Sequence, residues 1–292
     1  MDTEDAGKRV YLCSLNLANC PNDENREDLR FGMRFQLLLD TLEEERKNGM
    51  SLLVVQEVKS CSAFDGHSML TVVDIISGIS SATGMLPLYC ANHDGSTSTW
   101  KATFYDPVMF MHLESETTWA GEPSPKPPRF MGRSSFTRNR FYWIGDACAQ
   151  HANLSEHSGK EFNLVNVHCP VPIGWRIEYC EKLLQTLKTT CGDVPTLCAG
   201  DFNTIMDLGG REQLELLRGS MIDKTPTGVT FVGFPGDGNE NGPYVSSLDK
   251  LFVNQKWQDV FPSVPLVGCF VNIVSPKGLR GSDHFLMRVA LA

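Results

Sequence analysis

None of the ten cysteines is spaced Cys-x-x-Cys, which argues against the usual thiolate zinc frameworks. The chain also lacks any run approaching the ~20 apolar residues of a membrane-spanning helix. Its opening, Met1-Asp2-Thr3-Glu4-Asp5-Ala6-Gly7-Lys8-Arg9, is acidic and has no apolar stretch. No secretory leader is read there, so reduced cysteines, an intracellular, cytoplasmic setting and no membrane association are expected. Positive charge is in short supply: 26 Lys and Arg stand against 35 Asp and Glu, a formal net charge of −9. That balance argues against nonspecific coating of nucleic acid, which needs a basic surface to neutralise phosphates. Linkers and low-complexity stretches are absent too. Residues 1–8 are therefore expected to be a disordered acidic N-terminus and 9–292 a single domain.

One segment runs against the charge balance. From Pro125 to Arg140 the chain carries Lys126, Arg129, Arg133, Arg138 and Arg140 with no acid among them. It reads either as a phosphate-facing basic loop or as a solvated surface loop.

Strand and helix patterns alternate along the chain. Arg9 to Leu15 is β-rich, and Phe31 to Lys47 places Phe35, Leu38, Leu39 and Leu42 at helical spacing before Gly49. Ser51 to Val55 is a short apolar strand, and Ser68 to Ile79 is a second helix with Gly84 beyond it. Ala102–Tyr105 and Val108–Met111 look like paired strands around the turn Asp106-Pro107. Strands at Phe162–Val167, Thr196–Ala199, Leu248–Val253 and Phe285–Leu291, with helices at Trp175–Thr189 and Arg211–Leu217, complete the series. Two helix-bearing halves of this kind suggest two sheets face to face with helices outside.

Polar clusters sit at the ends of those strands. Asn16 follows the first, Gln56-Glu57 the second, His168 follows Val167, and Gly200-Asp201-Phe202-Asn203 follows Ala199; Asp249 lies in a later strand and Asp283-His284 precede the last. Each has an ordinary explanation, as a turn cap, an exposed carboxylate or a core histidine. Asp201 and Asn203 are harder to explain that way, because Gly-Asp-x-Asn after a buried strand puts a carboxylate and an amide on one side of a tight turn. Packed sheets bring the ends of sequence-distant strands to one rim, so the six clusters are expected to meet.

The ordered set Leu15-Asn16, Val55-Gln56-Glu57-Val58, Asn166-Val167-His168, Gly200-Asp201-Phe202-Asn203-Thr204, Leu248-Asp249-Lys250-Leu251-Phe252-Val253 and Ser282-Asp283-His284 resembles the endonuclease/exonuclease/phosphatase superfamily. The resemblance implies a DNase I-like α/β fold: a four-layer α/β/β/α sandwich with two mixed, mainly antiparallel sheets packed face to face and helices outside. It also implies Mg²⁺ or Mn²⁺ as cofactor. Glu57 would be the principal metal ligand, with Asn16 and Asp283 near the metal. Asp201, helped by Asn203, would orient or deprotonate the attacking water. His284, paired with Asp249, would stabilise phosphoryl charge, and His168 would bond a phosphate oxygen or help protonate the leaving group. These oxygen-rich residues suit a hard cation.

Two stretches, Thr117 to Pro125 with Arg140 and Thr230-Phe231-Val232-Gly233-Phe234, are similar to a group of uncharacterised bacterial-type members. Arg140 is the candidate for an additional phosphate contact, with a structural salt bridge as the alternative. Leu248-Asp249-Lys250 departs from the Cys-Asp-Arg of inositol phosphatases. Thr99-Trp100 stands where many relatives hold an acid-Gly pair. The expected activity is phosphodiester hydrolysis on RNA, DNA or a nucleotide, with single-stranded nucleic acid as a suitable partner and a monomeric state. A small-molecule phosphomonoesterase or phosphodiesterase of the same superfamily and a catalytically silent binding scaffold are the alternatives.

Overall fold

The computed structural model describes residues 10–17, 31–59, 61–62, 69–89, 100–120, 135–145, 157–171, 173–204, 208–228, 230–231, 247–264, 266–275 and 281–291. The first half runs β1 (Tyr11–Asn16), α1 (Phe31–Lys47), β2 (Met50–Val58), the short pair β3 (Cys61–Ser62) and β4 (Met69–Leu70), α2 (Val72–Thr83), β5 (Leu86–Tyr89) and β6 (Trp100–Tyr105). The second half follows with β7 (Phe110–Trp119), β8 (Ser135–Trp143), β9 (Glu161–His168), α3 (Ile173–Thr186), which passes into a π turn at Leu187–Cys191, then β10 (Thr196–Asp201) and α4 (Leu208–Arg218). It ends with β11 (Ile222–Asp223), β12 (Asp249–Val253), α5 (Gln255–Val260), β13 (Gly268–Val271) and β14 (Leu286–Ala290).

Two six-stranded sheets result, ordered β13-β14-β1-β2-β6-β5 and β11-β12-β10-β9-β8-β7. Each has one parallel pair at its centre, β1 with β2 and β9 with β10, and antiparallel neighbours outside it. A helix crosses over between the strands of each parallel pair, α1 in the first sheet and α3 in the second. The fold is the expected α/β/β/α sandwich.

Side-chain alternation divides the described residues into three cores. Leu12, Leu52 and Val54 of the first sheet meet Leu164, Leu197, Ala199 and Leu251 of the second in the inter-sheet core. Cys13, Leu15, Leu53 and Val55 face the other way, onto Leu38 and Leu42 of α1 and Ile75 and Ile79 of α2. Val165, Val167 and Cys198 likewise turn outward onto Tyr179, Leu183, Leu214 and Leu217 of α3 and α4. This one rule of parity decides which polar residues end up between the sheets.

Three local expectations are corrected. Ala102–Tyr105 and the strand after Asp106-Pro107 are not partners: β6 pairs with β2 and β5, whereas β7 pairs with β8 in the opposite sheet. The turn is a crossover between sheets, in which Phe110 N–H bonds the Asp106 carbonyl. The second helix begins only after Thr71, whose hydroxyl and Asp74 form a reciprocal capping box; Ser68 lies outside the described residues. Finally, Arg138 and Arg140 belong to the strand β8 rather than to a loop. Strand pairing sets them among acids: Arg138 binds Glu114 and Glu116, and Arg140 binds Glu161 and Glu114. Lys126, Arg129 and Arg133 lie outside the described residues.

Candidate active site

Parallel strands bring their C-terminal ends to one edge of a sheet, and antiparallel neighbours bring their starts to the same edge. Asn16 and Glu57 therefore lie at the ends of β1 and β2, and His168 and Asp201 at the ends of β9 and β10. Asp249 opens β12, and His284 precedes β14. Register sets Asp201 opposite both His168 and Asp249, and Asn16 opposite Gln56. Parity turns Asn16, Gln56, His168, Asp201 and Asp249 inward, so the two rows face each other across the rim.

Glu57 breaks that parity. By alternation it would point outward with Leu53 and Val55. The pairing of β2 with β6 is irregular between Val55 and Val58, and Glu57 adopts φ +57°. This left-handed, bulged residue brings the carboxylate back to Asn16. Asn203 is likewise left-handed, at φ +48°. Ahead of Asp201, Gly200 has φ +141°, and a Cβ there would come within 2.1 Å of the Val167 carbonyl oxygen. Only glycine lets β10 approach β9 so closely.

The rim converges on Asp201. Asn16 Nδ2 donates to Asp201 Oδ2 at 3.0 Å and to Glu57 Oε1 at 3.2 Å. The Nε2 atoms of His168 and His284 each lie 3.8 Å from Asp201 Oδ2. His168 Nε2 is also 3.7 Å from Glu57 Oε1, and Lys59 Nζ is 3.5 Å from Glu57 Oε2. His284 Nδ1 and Asp249 Oδ2 are hydrogen-bonded at 2.9 Å. The Asn203 backbone N–H donates to Asp201 Oδ1 at 2.7 Å, while its side-chain amide donates to the Cys169 carbonyl at 2.7 Å. Asp283 is adjacent, its Oδ1 4.0 Å from His284 Nε2.

Arg140 is not part of this convergence. It pairs with Asn163, five residues before His168 on β9, which is roughly 16 Å along a strand. The salt-bridge alternative describes its contacts with Glu161 and Glu114.

A model of the endonuclease/exonuclease/phosphatase family matches residues 46–284. The chain belongs to this family. Members of the family hydrolyse phosphoesters. No curated protein sequence matches the chain. Among solved structures, a mannosyl-6-phosphatase of Bacteroides thetaiotaomicron VPI-5482 is similar at 18% identity and TM-score 0.67, over 97% of this chain and 99% of that one. D. rerio TDP2 complexed with a single-strand DNA product is similar at 15% identity and TM-score 0.64, over 97% and 98%. The human nocturnin catalytic domain with bound sulfate is similar at 14% identity and TM-score 0.61, over 97% and 93%. At these identities the likeness is one of fold.

Within this family framework, several residues outside the predicted set hold the site together. Thr230 Oγ1 accepts the backbone N–H of Leu248 at 2.7 Å and of Asp249 at 3.0 Å, and its carbonyl accepts Phe285 N–H at 2.8 Å. Phe231 makes an antiparallel bridge to His284, with ring centroids 5.1 Å apart. The Thr-Phe pair of the Thr-Phe-Val-Gly-Phe motif thus ties the strand of Asp249 to the turn of His284; Val232, Gly233 and Phe234 lie outside the described residues. Ser282 Oγ donates to the Asn16 carbonyl at 2.7 Å and accepts His284 N–H at 3.0 Å. Deeper between the sheets, Gln56 Nε2 donates to Asn166 Oδ1 at 2.8 Å, and Asn166 Nδ2 donates to the Val55 and Ala102 carbonyls. The strand-end signal selects Asn166-Val167-His168 without giving Asn166 this bridging part.

Electrostatics separate the titrating groups. Burial alone would lower the pKa of His284, but the charge and hydrogen bond of Asp249, with Asp201 and Asp283 nearby, push it up to about 10. Burial holds His168 below its ordinary value despite the raising charges of Asp201 and Glu57. Burial raises Asp201 against the pull of both imidazoles. Asp283 is pushed up to about 6 by burial and by the charges of Glu57 and Asp201. Burial also works against Glu57, yet His168, Lys59 and Asn16 together keep it below the usual carboxylate range.

These residues fit a hard divalent cation. Glu57, Asp201 and Asp283 are carboxylates crowded at one rim, and Asp283 Oδ1 is buried with no hydrogen-bond partner among the described residues. Glu57 already has the cation of Lys59 beside it, Nζ at 3.5 Å from Oε2. Among the described residues no group of three His, Cys, Asp or Glu side chains is arranged to hold a metal ion. Mg²⁺ needs none, since it binds through one or two carboxylates and retains water.

Proposed function

We propose that this protein is a divalent-metal-dependent hydrolase of phosphate esters, a phosphodiesterase or nuclease acting on RNA, DNA or a nucleotide by in-line attack of water. The observation that carries the reading is the placement of the buried Asp201 carboxylate, bonded to Asn16 and within 3.8 Å of two imidazoles of opposite protonation tendency. Titratable groups whose environments drive their pKa values apart are what acid–base work at one phosphorus atom requires.

Asp201 is the water-orienting base. Asn203 N–H steadies its Oδ1 and leaves Oδ2 toward the rim, and burial raises its proton affinity, which favours accepting a proton. His284, cationic through Asp249, offsets charge that builds on the phosphoryl oxygens. His168, its proton affinity lowered by burial, donates a hydrogen bond to the phosphate on the opposite side. Glu57, with Asn16 and Asp283, would hold Mg²⁺ or Mn²⁺, which when bound supplies Lewis-acid neutralisation of the phosphate.

The test is turnover of bis- and mono-nitrophenyl phosphate and of RNA and DNA oligonucleotides with Mg²⁺ or Mn²⁺ supplied, beside an Asp201→Ala control. Metal-dependent hydrolysis absent from the control is expected. Equal background in both proteins on every substrate would leave a binding scaffold as the reading. Calorimetric titration of the metal separates the parts: Glu57→Gln is expected to weaken binding at least tenfold.

A further inference from the structure

The inward row of rim residues contains one more charged side chain. Lys101 lies in β6 between Trp100 and Ala102, whose partners on β2 are Val58 and Val55. It therefore stands opposite the Gln56-Glu57 bulge. Ala102 and Phe104 turn outward into the helix-covered core. Thr103, on the alternate face, accepts a hydrogen bond from Asn139 of the other sheet at 3.0 Å. Lys101 shares that inward face, by the same parity that turns Asn16 and Asp201 into the rim.

Across the gap its Nζ donates to Ser135 Oγ at 3.1 Å. Ser135 precedes Phe136, the partner of Val167, and so lies beside His168. The Tyr179 hydroxyl links the two, donating to the Ser135 carbonyl at 2.9 Å and accepting His168 N–H at 3.4 Å. The ammonium is near enough for its charge to act on the His168 ring. Lys101 is 5% exposed, the same as His284. A lysine kept this far from water favours an anionic partner, and a substrate phosphate is of that kind. A compact ammonium on a flexible stem serves as a point-charge phosphate binder.

We infer that Lys101 is a substrate-binding residue of this site, its ammonium taking a non-bridging phosphoryl oxygen on the His168 side. The phosphate is thereby held between two protein cations, His284 on the Asp249 side and Lys101 on the β6 side. The inference rests on the phosphoester-hydrolase reading, and its test is chosen to stand apart from it.

Inorganic phosphate is titrated calorimetrically into the wild type, Lys101→Met and Lys101→Arg in EDTA, and KM and kcat are then measured on a nitrophenyl phosphate with metal supplied. Lys101→Met is expected to weaken phosphate binding at least tenfold and to raise KM more than it lowers kcat, with Lys101→Arg close to wild type. Wild-type phosphate affinity in a folded Lys101→Met protein would overturn the inference and leave Lys101 a structural partner of Ser135. Should Lys101→Met fail to fold, Lys101→Gln, which can still bond Ser135, is judged by the same criterion. Lysine-dependent phosphate binding without hydrolysis of any ester would sink the hydrolase reading while sustaining the site.

Discussion

Replacing Asp249 with Asn removes the charge that keeps His284 protonated and leaves the shape of the rim nearly unchanged. Asp249 is fully buried, and its Oδ2 lies 2.9 Å from His284 Nδ1. In the wild type the imidazole holds its proton up to about pH 10, whereas the unfolded chain releases it near 6.5. The folded pKa is the higher, so this contribution is fully present below pH 6.5 and is lost as pH rises toward 10. Three pH units separate pH 7 from that limit, which at about 1.4 kcal/mol per unit amounts to roughly 4 kcal/mol at pH 7. The figure agrees with the roughly 3–5 kcal/mol expected for removing one partner of a buried ion pair. Between pH 7 and 9 the wild type should lose roughly 2–3 kcal/mol through this group, and Asp249→Asn, which removes the largest influence raising His284, should lose much less. Urea unfolding in EDTA at pH 7, 8 and 9 measures both slopes. At neutral pH the variant should also turn over about 100- to 1,000-fold more slowly, the scale of losing one electrostatic stabiliser. Parallel stability curves for the two proteins across that range would refute the charge assignment of His284.

Asp201→Asn should reduce kcat by about a thousandfold or more, because the base is gone, while leaving the urea midpoint equal or higher, since burial already opposes the charge there. A stability loss above roughly 2 kcal/mol would show Asp201 to be structural. Arg140→Ala should leave KM unchanged and cost about 1 kcal/mol or less, as its partners Glu161 and Glu114 are surface acids away from the rim; a tenfold rise in KM would bring it back as a phosphate contact. Thr230→Val removes the hydroxyl that accepts the Leu248 and Asp249 N–H groups, so kcat should fall with KM little changed and Thr230→Ser should restore it. Equal kinetics for the Val and Ser variants would confine Thr230 to stability.

Much of this architecture was legible in the chain. The helix at Phe31–Lys47 was readable because its apolar side chains recur at helical spacing and end before Gly49. Alternation within each short strand already fixes which residues share a face. Asn16 with Leu12, and Asp201 with Leu197 and Ala199, are determined to face one way before any partner strand is known. The order of polar strand ends was likewise a property of the sequence, since a run of apolar residues closed by Asn, His or Asp marks where a strand leaves the apolar core.

What the chain could not state by itself was which strands lie side by side. The Asp106-Pro107 turn has the local chemistry of a hairpin, yet it carries the chain from one sheet to the other; turn residues specify a reversal and not its destination. Arg138 and Arg140 read as a basic loop because their acids, Glu114, Glu116 and Glu161, are distant in sequence and adjacent only through the β7–β8–β9 pairing. Glu57 falls on the wrong face by alternation and reaches the rim only through a bulge that pairing with β6 imposes. Lys101 carried no signal at all, because a lone lysine in a strand acquires meaning only when Ser135 and His168 arrive across the gap. Local sequence thus determined the faces and the ends, where one residue's sterics and polarity suffice. Tertiary structure alone decided the neighbours, because the distances that set charge, proton affinity and chemistry run between sheets.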